Sequence, residues 1–453
     1  MSRYKPYPAY KDSGVEWIGE VPEHWGVLRL KRIGTLKGGT GFPVHLQGQN
    51  GNELPFYKVS DLAKSIDGVN LGQTENTVTY EQAKALGATV FPAGTLAWAK
   101  IGAALSLNRR RIARIPCCLD NNITGFTVNS AVASEMYCYY LMSILDFSVH
   151  ARPGAVPSFS EGDQGELLVP LPPRAEQDLI ATVIRKRTAH IDALIARKTE
   201  FIELLARKRQ ALITHAVTKG LDPNVKMKDS GVEWIGEVPE HWEVKRLRHV
   251  AAFKNSNVDK KAYDEQEAVS LCNYTDVYYN EFITPNEFIT PNLPFMQATA
   301  SPAEIEQFSL KKGDVIITKD SEDPSDIGIP SLVKEEMPGI VCGYHLTIIR
   351  GADFDTARLL HRIIQSHPTR AHFFVEAPGI TRYGLSQDAI GDLRFCLPPE
   401  NERAAIADYI DRETARIDLL IGKVQFSIDL LKKRRSALIT AAVTGQIDLR
   451  EST

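Results

Sequence analysis

Cysteine is scarce in this chain of 453 residues, with six at positions 117, 118, 138, 272, 342 and 396. No Cys-x-x-Cys pair occurs among them, so neither a zinc ribbon nor a thioredoxin-type site is supported. A disulfide framework does not suit a chain so long and so cysteine-poor. An excess of charge of one sign is also missing. The 53 Lys and Arg against 56 Asp and Glu leave a formal net charge of −3, which excludes binding of nucleic acid by bulk charge and leaves room for local basic surfaces. No run of 18 apolar residues occurs, so no membrane span is expected. The opening string MSRYKPYPAY lacks the apolar core of a signal peptide, and the expectation is a soluble protein of a reducing cytoplasm.

Catalytic signatures are absent as well. The sequence holds no GxxxxGK[ST], HExxH, GxSxG or strand-borne GxGxxG, so no phosphate loop, zinc protease, serine hydrolase or dinucleotide fingerprint is legible. A base-flipping amino-methyltransferase would carry an Asn/Asp-Pro-Pro-Tyr/Phe loop. The nearest strings, Asn292-Leu293-Pro294-Phe295 and Leu54-Pro55-Phe56-Tyr57, lack the second proline and read as turns. Glu243-Val244-Lys245, with Glu240 upstream, fits the letters of a nuclease E-x-K but is cramped, and the first copy has Gly26-Val27-Leu28 there.

What the chain does have is itself, twice. KDSGVEWIGEVPEHW runs from Lys11 to Trp25 and again, unchanged, from Lys228 to Trp242. Leu171 to Asp222 aligns without gaps to Leu397 to Asp448, with 25 identities in 52 positions, where composition alone gives roughly one in sixteen. Between these repeats, FYKVSDL (Phe56 to Leu62) faces LCNYTDV (Leu271 to Val277), and FPAGTLAWAK (Phe91 to Lys100) faces LKKGDVIITK (Leu310 to Lys319). The order is A–B–C–A–B–C. The expected boundaries are a leader at 1–25, a variable block at 26–170, a helical block at 171–222, a second leader at 223–242, a second variable block at 243–396 and a distal helical block at 397–453. Identical leaders suggest one common task. Diverged B blocks suggest two readings of one kind of object.

Block C is helical by periodicity. Ile180, Ile184, Ile191, Leu194, Phe201, Leu205 and Leu212, and in the second copy Ile406, Ile410, Ile417, Leu420, Leu431 and Leu438, follow a 3-4 spacing. Ile195, Ile202, Ile421 and Ile428 add a second stripe, which points to a further partner surface. Pro172-Pro173 and Pro398-Pro399 precede each run, where proline is tolerated in a first helical turn. Ala175 to Thr218 would span roughly 65 Å unbroken. Two such helices in one chain should pair along their length. Block B reads as mixed α/β, with strands at Thr95–Ala99 and Val315–Thr318 after Gly94 and Gly313, and helical stretches at Tyr80–Leu86 and Thr356–Gln365. Gly38, Gly39, Gly41, Pro43, Pro285, Pro291, Pro294 and Pro302 punctuate it as turns.

The basic residues are the chemistry that remains. Asn108-Arg109-Arg110-Arg111, with Arg114 nearby, can pair phosphates or read guanine edges, or can be a solvated face. In the second B block Lys254, Lys260, Lys261, Lys311, Lys312, Lys319 and Lys334 interleave with Tyr274, Tyr278, Tyr279, Tyr344 and Tyr383. Further basic runs lie on the C helices. His24 and His241, each before a tryptophan, are either a ligand site or a packed corner.

These features together resemble one family over the whole chain, the specificity (S) subunit of type I restriction-modification systems. The carriers are the leader SGVEWIGEVPEHW, the hinge VPLPPRAEQ (Val169 to Gln177) echoed by LPPENER, the ending RKRQALITHAVTKGLD and the YKVSDL element. Arg403 stands in the second hinge where the first has Gln177. The resemblance implies two α/β (α+β) target-recognition domains separated by two long antiparallel coiled-coil helices, with a pseudo-twofold internal repeat. Each B block would read one half of a bipartite site in double-stranded DNA. The A and C repeats would dock two modification (methyltransferase) subunits, which bring S-adenosylmethionine, and two restriction subunits, which use ATP and Mg²⁺, would complete the nuclease. The chain itself would hold no cofactor and no catalysis. Candidate DNA contacts, chosen by side-chain type near turns and strand ends, are Lys58, Ser60, Lys100, Asn108, Arg109, Arg110, Arg111 and Asn122 in the first block. In the second they are Asn273, Tyr274, Lys319, Tyr344, His345, Arg382 and Tyr383. Candidate partner contacts are Trp17, Trp25, Trp234, Trp242, Ile195, Ile202, Ile421 and Ile428. The competing reading is a coiled-coil scaffold that does not bind DNA.

Overall fold

The computed structural model describes residues 5–65, 67–152, 154, 156–284 and 295–450. The turns expected at Pro285, Pro291 and Pro294, and most of the string beginning at Asn292, lie outside these residues. The chain forms two compact units, one of Met1–Lys198 with Phe426–Thr453, the other of Thr199–Gln425. The division falls inside two long helices, Arg174–Lys219 and Glu400–Val443.

The first unit holds an antiparallel sheet in the order Gly34–Gly38, Ile123–Val128, Leu96–Ala99, Arg110–Ile112. Leu96–Ala99 is buried along its whole length, as expected of a strand covered on both faces. A second sheet sets Leu54–Tyr57 between Thr77–Val78, antiparallel, and Cys118–Leu119, parallel. The second unit repeats this plan. Ala251–Asn255, Leu346–Gly351, Asp314–Thr318 and Pro330–Val333 form the antiparallel series, extended by a parallel Phe282–Ile283. Glu267–Cys272 pairs with Met296–Ala300 and, in parallel, with Ile340–Cys342. The strands and helices expected of the B blocks are present, as Leu96–Ala99, Asp314–Thr318, Tyr80–Ala85 and Phe354–Gln365. All six cysteines are free and buried.

In each unit one half of each long helix pairs antiparallel with the other. In the first, Arg435 Nε lies 2.8 Å from Asp192 Oδ1, and Ile180 and Ile184 share a core with Ala442 and Val443. In the second, Arg209 Nε lies 3.0 Å from Asp418 Oδ1, and Ile213 and Val217 pack with Ile406 and Ile410. The seam departs from strict heptads. Phe201 and Leu420 are exposed, whereas Ile213 and Ile439, one residue past the expected Leu212 and Leu438, are buried. A straight helix of 3.6 residues per turn drifts about 20° per heptad against a 3.5 repeat, so the buried stripe migrates along the surface.

The leaders are clasped to the helix starts. Glu176 accepts hydrogen bonds from Tyr7 Oη (2.6 Å) and Trp25 Nε1 (3.2 Å), and its Oε2 lies 2.8 Å from His24 Nε2. Glu402 repeats this with Trp242 Nε1 (3.1 Å) and His241 Nε2 (2.7 Å). Burial, then the hydrogen bond to Glu176, pushes the Tyr7 phenol well above its usual range. Of the two readings of the histidine–tryptophan pair, the structure has the packed corner.

Candidate nucleic-acid interface

In the second unit, turns at the ends of the buried strands meet around a cleft of about 570 Å³. Asn273 caps the short helix Tyr274–Tyr278. Its Oδ1 accepts from Tyr274 N–H (2.8 Å), and its own N–H donates to Asp276 (2.7 Å). That helix presents an aromatic wall, with Tyr274 and Tyr278 stacked at 5.6 Å and Tyr279 set edge-on and exposed. Tyr274 Oη reaches Ser321 (3.3 Å), and Tyr278 Oη donates to Asp326 (3.1 Å). Opposite, the strand Asp314–Thr318 ends and Lys319 N–H donates to the His345 carbonyl (3.0 Å). Asp320 Oδ1 lies 2.5 Å from His345 Nδ1 and accepts from Arg382 Nη2 (2.6 Å). Tyr344 lies against the imidazole, ring centroids 3.7 Å apart. Tyr383 pairs with Ser321 in a two-residue ladder that closes this side.

Sequence-chosen residues from four separate segments therefore converge. Asn273, Tyr274, His345 and Arg382 line the cleft, and Tyr344, Tyr383 and Lys319 adjoin them. Lys319 differs in direction from the expectation. Its Nζ donates inward to the Ser256 carbonyl (3.2 Å), and burial holds its pKa below the ordinary value. The residues sequence reasoning left out of the site are Thr275, Tyr278, Tyr279, Asp320, Ser321, Glu322, Asp323 and Asp326. Asp320 follows Lys319 directly, where the aligned first copy has Ile101 after Lys100. That change from apolar to acidic at a strand end was the available signal.

The first unit holds matching positions. Lys100 N–H donates to the Asn122 carbonyl (3.0 Å), the counterpart of Lys319 and His345. Lys58 and exposed Ser60 lie on the turn after Leu54–Tyr57, with Lys58 Nζ bonded to Gln47 Oε1 (2.9 Å). Lys100 pairs with Glu161. Burial would raise the Glu161 carboxyl, but Lys100 outweighs it and the pKa lies below the usual value.

The arginine run is corrected by the structure. Arg110 is 3% exposed, and its guanidinium lies 3.9 Å from the Phe147 ring centre and bonds to the Leu145 carbonyl and Asn108 Oδ1, each at 3.1 Å. Burial pushes its pKa down to about 9. Asn108, at φ 48°, also donates to Asp146 (2.7 Å). Both residues hold the core together. A strand alternates its side chains, so Arg110 and Ile112 point inward while half-buried Arg111 donates to the Arg110 carbonyl (2.7 Å). Arg109 is half-buried.

Seven of the eight partner candidates sit otherwise than a docking surface needs or only partly so. Trp25 and Trp242 are 0% exposed and Ile428 is 3% exposed, so they are core residues. Trp17, Ile195, Ile202 and Ile421 are half-buried. Trp234 is exposed, stacked on His372 at 5.1 Å. Glu243 pairs with Lys245 (2.6 Å) at an exposed edge. Among the described residues no group of three or more His, Cys, Asp or Glu is placed to hold a metal ion, and no helix is long and apolar enough to cross a membrane.

The profile of the type I restriction modification DNA specificity domain matches residues 22–204. The chain is 25% identical to the MjaIX type I specificity subunit of Methanocaldococcus jannaschii, over 53% of this chain and 54% of that protein. It is thus about half the length of that relative that is matched. It is 21% identical to the EcoBI specificity subunit of Escherichia coli, over 96% of this chain and 89% of that one. A chain solved in work on assembly and conformational transition of the type I R-M system superposes with a TM-score of 0.68 at 14% identity, covering 94% of this chain and 99% of that chain, and it shares the fold. The specificity-domain profile thus covers the first variable block and the start of the helix after it, and the chain is similar to the specificity subunits of type I restriction-modification systems.

Proposed function

We propose that this chain is the non-catalytic, DNA-reading subunit of a type I restriction-modification complex. Each unit reads one half of a bipartite site in double-stranded DNA. The length of the long helices sets the number of base pairs between the halves. The repeated leaders and helices dock two methyltransferase subunits, since two identical partners need two like surfaces. Those subunits bring S-adenosylmethionine and methylate adenines in the site after flipping them from the stack. Two restriction subunits, using ATP and Mg²⁺, cut unmodified DNA in the cytoplasm. This chain's residues position DNA and move no proton or group themselves.

One observation carries the reading. The two units share sheet topology, strand-end turns and helix clasps, yet Lys100–Ile101–Asn122 in one corresponds to Lys319–Asp320–His345 in the other. Like scaffolds with unlike strand-end turns suit two unlike half-sites. The test is a methylome. The chain is co-expressed with its methyltransferase subunit in a host free of adenine methylation, and modified adenines are sequenced. A split motif with two unlike halves around a fixed gap is expected. Co-purification of the two proteins with no modified adenine overturns the reading and favours the scaffold.

A further inference from the structure

The cleft of the second unit carries an unusual charge balance for a surface near DNA. Among the described residues, Asp320, Glu322, Asp323 and Asp326 line it against Arg382 and His345. Four carboxylates repel phosphates, so this cleft is not a backbone track. Carboxylates do suit base edges, where cytosine and adenine amino groups donate. The arginine among them is held. Asp320 takes one N–H of the guanidinium at 2.6 Å through a single carboxylate oxygen, and Nη2 also lies 2.8 and 3.3 Å from the two nitrogens of His345. With His345 Nδ1–H donating to Asp320 (2.5 Å), Nη2 gives that ring no hydrogen, so its second N–H stays free and with a neighbouring N–H forms a two-donor edge of the planar fork. Arg382 is 56% exposed even so. A long side chain that is both fixed and accessible loses little rotamer freedom on binding. Its preferred base partner is guanine, whose O6 and N7 match a two-donor edge.

The first unit lacks this device. Ile101, paired with Ser158, stands where Asp320 pairs with Gly384, and Asn122 takes the place of His345.

We infer that Arg382, buttressed by Asp320 and His345, reads a guanine in the half-site of the second unit. The inference rests on the DNA-reading function proposed above and adds the base, the residue and the half. A neighbouring carboxylate then accepts from the amino group of the paired cytosine.

The test uses the complex with its methyltransferase subunits. In the wild-type methylome one half-site contains a guanine. Arg382→Ala lowers methylation of the wild-type site by about ten- to a hundredfold, the worth of one bidentate base contact. It relaxes one base position in one half and leaves the other half unchanged, so the unaffected half reports that the complex is folded. Arg382→Lys does not restore selectivity, because an ammonium has no fork. Asp320→Asn weakens selectivity at the same position. Independently of any variant, replacing that guanine by 7-deazaguanine, which lacks N7, lowers wild-type binding. A bipartite motif with no guanine in either half, an unchanged motif and rate in Arg382→Ala, or indifference of the wild-type complex to 7-deazaguanine at every half-site guanine overturns the inference while DNA reading stands. Absence of any bipartite motif in the wild type overturns DNA reading itself.

Discussion

Removing the Arg362 guanidinium should loosen the second unit by about 3 kcal/mol without touching the first. Arg362 is 2% exposed on the helix Phe354–Gln365 and sits at the centre of a charge network. It pairs with Glu281, and its Nη2 lies 2.5 Å from Asp411 Oδ1 on the long helix Glu400–Val443. Glu281 is shared with Arg209, and Asp411 with Arg358 at 2.7 Å. The network thus joins the second variable block to both helices within one unit. Breaking a buried ion pair from one side costs about 3–5 kcal/mol, because a charge stays buried without its partner. Each carboxylate keeps a second arginine, so Arg362→Met belongs at the low end. The assay is native-state hydrogen exchange at pH 7. Slow amides of residues 199–425 should exchange about a hundredfold faster, and those of 5–198 should not change. Burial opposes ionisation of Glu281 and Asp411, yet the arginines hold both below their ordinary pKa values. A depressed folded pKa gives stability that is complete above the unfolded value, about pH 4, and is lost as pH falls through the folded one. The difference between variant and wild type should therefore shrink below about pH 4. A loss under about 1 kcal/mol, or equal acceleration in both units, would refute the reasoning.

His361 is wholly buried, and burial, then the charge of Arg362, pushes its pKa down to about 3. The native state holds it neutral while the unfolded chain protonates near pH 6.5, so stability falls as pH drops below about 6.5. His361→Met should remove about 2 kcal/mol of that loss at pH 5; thermal melts at pH 7 and pH 5 check this, and an unchanged acid limb would count against it. Glu176→Ala orphans three donors, one of them the buried Trp25 indole, and should cost about 2–3 kcal/mol. Glu402→Ala orphans two at a site 36% exposed, where solvent screens the loss to about 1 kcal/mol; urea titrations of the two variants compare them, and a reversed order would overturn the account of the clasp.

The two units and the long helices were legible because repetition and helical periodicity survive in one sequence. Glu176 and Glu402 fall at the same place in the aligned hinges, so the clasp was within reach of alignment alone. The second cleft was reached in part, because Asn273, His345 and Arg382 are polar residues at turns. Its acids were passed over because a search for phosphate contacts selects cations. The arginine run failed for a different reason. Charge counted along the sequence treats Arg109, Arg110 and Arg111 alike, whereas a strand sends neighbours to opposite faces. Cation–π contact with Phe147 and a carbonyl partner then let Arg110 stay inside.

The two units also divide their residues by role in a consistent way. Positions that hold leader to helix and helix to helix are the same in both: Glu176 and Glu402, Asp192–Arg435 and Asp418–Arg209. Positions at strand ends differ: Ile101 against Asp320, Asn122 against His345. The strands feeding those turns, Leu96–Ala99 and Asp314–Thr318, are buried throughout. A side chain on the turn can therefore change chemistry while the sheet beneath it keeps its packing. Arg362 and its network show the limit of that freedom. Arg362 and Asp411 fasten the second unit's variable block to its long helix through charge. The fastening of this block to the helix therefore rests on residues of both. Exchanging the second block should therefore succeed only when Asp411 is exchanged with it or meets a cation of the new block.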